Sequence, residues 1–92
     1  MKYMLDAMLY GMAKDLRDNG IDCDTATKLL RGHDDSSVRI PDPEIFDFLK
    51  KANGTIALIT GDNELAEYCR RSEIPYVTVS DAVIEYIKSR HR

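Results

Sequence analysis

TIALITGDNELAEYC, residues 55 to 69, is the stretch from which the rest of the chain can be read. Residues 55–60 form a nearly continuous apolar run with β-branched members, the pattern of a parallel strand covered on both faces. The run stops at Thr60-Gly61, and an acidic residue, Asp62, follows at once. A helical pattern then places Leu65, Ala66 and Cys69 inward as far as about Arg71. A strand buried on both faces needs parallel neighbours, and parallel neighbours need crossover helices. The flanking sequence supplies both.

Upstream, KYML (residues 2–5) reads as a strand, and Leu9, Met12, Ala13 and Leu16 mark one face of a helix ending near Asn19-Gly20. Residues 21–23 suit a brief second strand, and DTATKLLR (24–31) one or two helical turns behind a capping aspartate. GHDDSSVRIPDP (32–43) is the one long loop. Pro43 suits the first position of a helix capped by Asp42, with Ile45, Phe48, Leu49 and Ala52 as its buried stripe. Downstream, YVTV after Pro75 is a fourth strand, and Ser80 caps a last helix that buries Val83, Ile84 and Ile87. Four strands each followed by helix predict a three-layer α/β/α sandwich with a four-stranded parallel sheet, in one domain spanning residues 1–92.

Ninety-two residues support a single core, and 43% hydrophobic with 32% charged residues indicates a folded chain rather than a disordered one. No apolar run approaches the roughly 20 residues of a bilayer span. Asp6 and Lys14 interrupt what an export signal would keep apolar, so a cytoplasmic protein is expected. Cys23 and Cys69 have no CxxC or paired histidine around them and read as reduced thiols. His33 and His91 read as ordinary side chains of a loop and a tail. The net charge of −3 does not advertise nucleic-acid binding, although Lys50-Lys51, Arg70-Arg71 and the tail Lys88, Arg90, Arg92 are local basic clusters. Nothing matches GxGxxG or a Walker A loop, so neither a dinucleotide nor an ATP site is indicated.

The acids fall at the joins between elements. Asp6 closes the first strand, Asp62 closes the buried strand, and Asp42 opens the helix leading back to it. Asp81 follows the fourth strand, beside a competing cap in Ser80. Sites in open α/β sheets lie beyond the carboxyl ends of the strands. If strands one and three are neighbours, Asp6 and Asp62 stand roughly 5 Å apart laterally. Asp42, Asp62 and Asp81, each taken alone, suit helix capping, whereas Asp6 follows an apolar strand and precedes Ala7, Met8 and Leu9, which are not a polar turn. Three converging carboxylates repel, and a hard divalent cation offsets that repulsion. The lack of histidine or thiolate ligands points to a hard cation such as Mg²⁺ rather than a softer metal.

These residues carry a resemblance. DPEIFDFLKKANGTIALITGDNEL (42–65) resembles the back half of a PIN domain, the fold of VapC-type toxin ribonucleases, through Asp42, Ile45, Ala52, Gly54, the strand, Thr60 and Asp62. KYMLDAML (2–9) resembles the first PIN strand with its acid at Asp6, followed by a helix with a glycine near its start, here Gly11. SEIPYVTVS (72–80) resembles the closing strand. The likeness is greatest to short PIN-like proteins, and residues 24–38 are the least covered.

The resemblance implies sheet order 2-1-3-4 and a Mg²⁺ or Mn²⁺ site on Asp6, Asp42 and Asp62. It also implies an endonuclease acting on RNA and pairing with an antitoxin or another protein. Glu44 and Glu64 are the further metal-ligand candidates. A full PIN domain carries another acid in its middle section, where this chain is shorter. Asp24, Asp34, Asp35 and Glu44 are the substitutes on offer, Glu44 foremost. Phosphate is expected at Arg39, Lys14 or Arg70-Arg71. Phe46, Tyr68, Tyr86 and Met8 could form an apolar contact for a homodimer. Two other readings stay open: a PIN-like module that binds RNA or a protein with little activity, and an unrelated small α/β binding domain of the receiver or flavodoxin kind.

Overall fold

The computed structural model describes residues 1–33, 35 and 37–90, with Arg90 described by its backbone. Its elements are β1 (Lys2–Leu5), a 3₁₀ helix η1 (Ala7–Met12), α1 (Ala13–Asp18), β2 (Cys23–Thr25) and α2 (Ala26–Arg31). After the loop come α3 (Asp42–Lys51), β3 (Ile56–Thr60), α4 (Asn63–Arg71), β4 (Tyr76–Thr78) and α5 (Val79–Arg90). The four strands form one parallel sheet in the order β2-β1-β3-β4. This is the expected sandwich, with β1 and β3 side by side at its centre.

Strand alternation sorts the core into two layers. Met4 and Leu58 point to one face and pack with Ala26 of α2, Ile45, Phe46 and Leu49 of α3, and Leu65 and Cys69 of α4. Leu5 and Cys23 point to the other and pack with Ala13 of α1, bordered by Tyr3, Leu9, Leu16 and Ile59. The first layer is closed. The second is thinner, because α1 is short and α5 packs mainly on β4.

Several local expectations shift. The first helix begins as a 3₁₀ segment, with Ala13 its buried member, while Met12 is exposed. The second strand lies at Cys23–Thr25 rather than 21–23, because the Tyr3 amide donates to the Asp22 carbonyl at 2.8 Å and Ile21 faces outward. Helix α3 starts at Asp42 itself. Pro41 occupies the cap without a side-chain bond, and Asp42 and Glu44 share the first turn. Phe46 joins Ile45 and Leu49 in its buried stripe, whereas Phe48 and Ala52 are half-buried. Phe46 stacks on Tyr68, ring centroids 3.8 Å apart and planes 18° apart, which ties α3 to α4 within the chain. Thr78, not Ser80, caps α5, its hydroxyl accepting the Asp81 amide at 3.0 Å.

The largest departure is in α5 itself. Val83, Ile84 and Ile87, expected in the core, are 50%, 48% and 51% exposed. The apolar stripe is present, but the described residues leave it about half exposed.

Candidate functional site

The site is built at the carboxyl ends of β1 and β3. Leu5 pairs with Ile59 in register, and the Asp6 amide donates to the Ile59 carbonyl at 3.0 Å. Asp6 therefore leaves β1 alongside Thr60, the last residue of β3. Its side chain is only 9% exposed, and its carboxylate is held at both oxygens. Oδ1 accepts the Ala7 amide at 2.7 Å, which caps η1, and Oδ2 accepts the Thr60 hydroxyl at 2.9 Å. These bonds offset the desolvation that burying a carboxylate entails.

Thr60 is fully buried, and its hydroxyl works in both directions. Having donated to Asp6, it accepts the Asp62 amide at 3.0 Å. Two bonds of 2.9 and 3.0 Å through one oxygen put the Asp6 carboxylate within about 6 Å of the Asp62 backbone. Asp62 then caps α4, its Oδ1 accepting the amides of Glu64 at 2.8 Å and Leu65 at 3.4 Å. Among the described residues its Oδ2 has no hydrogen-bond partner. Asp62 thus divides its carboxylate, one oxygen spent on capping α4 and the other open to the cavity.

Asp42 arrives from the far side of the loop at the first turn of α3, and its carboxylate makes no hydrogen bond to the rest of the described chain. Asp6, Asp42 and Asp62 line one cavity of about 200 Å³, closed by Tyr10, Ile45 and Leu65, with Arg39 on its wall and Met8 beside it. Tyr10 is fixed by Thr27, whose amide donates to the phenol oxygen at 3.0 Å. The cavity brings the three predicted acids to one place.

It does not bring in the other candidates. Glu44 forms a two-pronged ion pair with Arg31, which holds its carboxyl below the usual range. Glu64, on the first turn of α4, is exposed and does not line the cavity. Asp24 is paired with Arg17 and Lys2, Asp35 with the Ser37 amide and hydroxyl, and Asp34 lies outside the described residues. The missing mid-chain acid is not replaced among the described residues. Of the basic candidates, Lys14 pairs with Asp18 and Arg70 and Arg71 with Glu67, which leaves Arg39 at the site. His91 and Arg92 lie outside the described residues.

A metal faces a mixed arrangement. Among the described residues, no three His, Cys, Asp or Glu side chains stand close enough together to close around one ion. Yet the donors lining the cavity are hard oxygens, with no thiol or imidazole among them. Mg²⁺ characteristically takes one or two carboxylates and keeps several waters, so the donor set fits a hydrated hard cation rather than a stripped one.

Sequence reasoning missed Thr60 as the pin between Asp6 and Asp62. Its signal was the hydroxyl at the end of an otherwise apolar strand, where a Val or Ile would pack as well. The two thiols take no part: both are buried and unpaired, and burial pushes Cys69 up to about 11. No described helix is long and apolar enough to cross a membrane. Scans against family models, curated proteins and solved structures return no match, so the PIN likeness stays a resemblance of motif and strand order.

Proposed function

We propose that this chain is a Mg²⁺- or Mn²⁺-dependent ribonuclease that cleaves RNA phosphodiester bonds at the cavity of Asp6, Asp42 and Asp62. The observation that carries the reading is that these three acids and Arg39 line one cavity at the carboxyl ends of the central strands. A bound divalent ion supplies charge that acidifies water and offsets the negative charge developing on the phosphate. The chain's own residues do the rest. Asp6, locked by Ala7 and Thr60, is a fixed acceptor. Asp42 carries no structural bond and is free to orient a water for attack. Arg39 is suited to a phosphate oxygen through its planar fork. The cytoplasm and a protein partner of the antitoxin kind belong to the same proposal.

The test is cleavage of a fluorophore-labelled single-stranded RNA with Mn²⁺, with EDTA, and with Asp42→Asn. Cleavage that needs the metal and fails in Asp42→Asn supports the reading. Cleavage that survives both overturns it. A second reading, a module that binds RNA or protein without cutting, is favoured by the engagement of both Asp6 oxygens in the fold and by the open ligand arrangement. It predicts RNA retention in a gel shift with no cleavage under any metal.

A further inference from the structure

The thin layer of the sandwich ends in a groove of about 430 Å³. Tyr3, Ile59 and Val77, from the same face of three neighbouring strands, form its floor, with Met12, Leu16 and Ile21 on one wall. Val79, Ala82, Val83 and Tyr86 of α5 form the other, spaced i, i+3, i+4, i+7 along one helical stripe. Beside that stripe α5 carries a second one, Asp81, Ile84 and Lys88, with Ile87 at its edge. Tyr86, Val83, Ile84 and Ile87 are 60%, 50%, 48% and 51% exposed. With Met12 and Ile21 they leave on the order of 500 Å² of apolar side chain in one contiguous region, near the upper limit for the largest patch of a monomer.

The charges on α5 say what covers it. Asp81 and Glu85 lie in its first part and Lys88 near its end, and none of the three has an ion-pair partner within the described chain. Asp81 and Glu85, four residues apart, repel one another. Two α5 helices laid antiparallel about a two-fold axis near Ile84-Glu85 bring Asp81 of each beside Lys88 of the other. The two salt-bridge pairs would flank the apolar centre, since seven residues of helix span about 10 Å. Such a contact is self-complementary, as a two-fold interface must be. A parallel pairing would instead set Asp81 against Asp81.

We propose that the outer stripe of α5 is covered by a second copy of the chain, with the two α5 helices packed antiparallel so that Ile84 of each copy meets Ile84 of the other at the axis and Ile87 lies at the edge of the contact. The proposal is independent of the ribonuclease reading, because the acid cavity shares none of these residues. Its test is sedimentation equilibrium of the full chain with Ile84→Glu, Asp81→Lys, Lys88→Asp and the double charge exchange. The parent is expected to have twice the 10.5 kDa chain mass. Ile84→Glu and each single exchange should weaken the dimer at least ~10-fold, and the double exchange should restore it. All three positions are exposed, so unchanged circular dichroism is expected, and the charge exchanges carry the test should Ile84→Glu fail to fold. A parent that stays monomeric at ~100 µM, well above the dissociation constant of a standard interface, overturns the proposal. So does a double exchange no better than the singles.

Discussion

Replacing Thr60 by Val is the sharpest perturbation of the site, because it removes one hydroxyl and almost no volume. The hydroxyl donates to Asp6 Oδ2 at 2.9 Å and accepts the Asp62 amide at 3.0 Å, so both groups lose a partner together. A buried polar group left unsatisfied costs about 1–3 kcal/mol, and more when charged. The cavity beside Asp6 admits some water, and the Asp62 amide is only partly buried, which trims the sum. A loss of about 2–3 kcal/mol is expected, a large share of the stability of so small a domain.

Urea unfolding followed by far-UV circular dichroism should read this directly. With a slope of about 1 kcal/mol per molar, the midpoint falls by roughly 2 M with the slope unchanged. Thr60→Ser keeps the hydroxyl and should lose only about 1 kcal/mol, for one buried methyl. If Thr60→Val stays within about 0.5 kcal/mol of the parent, the range of an ordinary surface substitution, the pin between Asp6 and Asp62 is refuted.

Four further outcomes follow from the same geometry. Asp62→Asn keeps the cap, since Asn caps about as well as Asp, so its melting temperature should hold while RNA cleavage falls at least ~10-fold. Mn²⁺ should raise the parent's melting temperature by binding the folded state, by the equivalent of about 2.7 kcal/mol at 100 times its dissociation constant, and should do so less in Asp6→Asn. Arg31 holds the folded-state pKa of Glu44 below its unfolded value, so the pair stabilises above the unfolded carboxylate range near 4.3 and loses that contribution as pH falls through the lower folded value. Glu44→Gln should therefore trail the parent in urea at pH 7 and match it at the acid end. Cys69, buried and with its pKa pushed up to about 11, should resist a thiol reagent at pH 8 until urea unfolds the chain.

The parts legible in the sequence were those set by patterns every neighbour must obey. The apolar run of β3 can be satisfied only by cover on both faces, and that requirement leads to the parallel sheet and its crossovers. Asp6 and Asp62 were readable because strand ends align once β1 and β3 are neighbours. What stayed hidden depends on tertiary competition. Phe46 and Phe48 both border the buried stripe of α3, and the partner ring of Tyr68 selects Phe46. Glu44 was an open candidate until the fold placed Arg31 beside it. The stripe of α5 announced an apolar face but not whether the same chain covers it, because periodicity reports which side of a helix is apolar and nothing about what lies opposite.

Asp42 gives the cleanest access to the central claim, because its carboxylate makes no hydrogen bond within the described chain and can be neutralised with little harm to folding. The decisive measurement is a titration with Mn²⁺ followed by the electron paramagnetic resonance of the free ion, for the parent and for Asp42→Asn. One bound ion per chain in the parent and a weakened site in the variant is the predicted result. Equal binding by both proteins, or none by the parent, would contradict it.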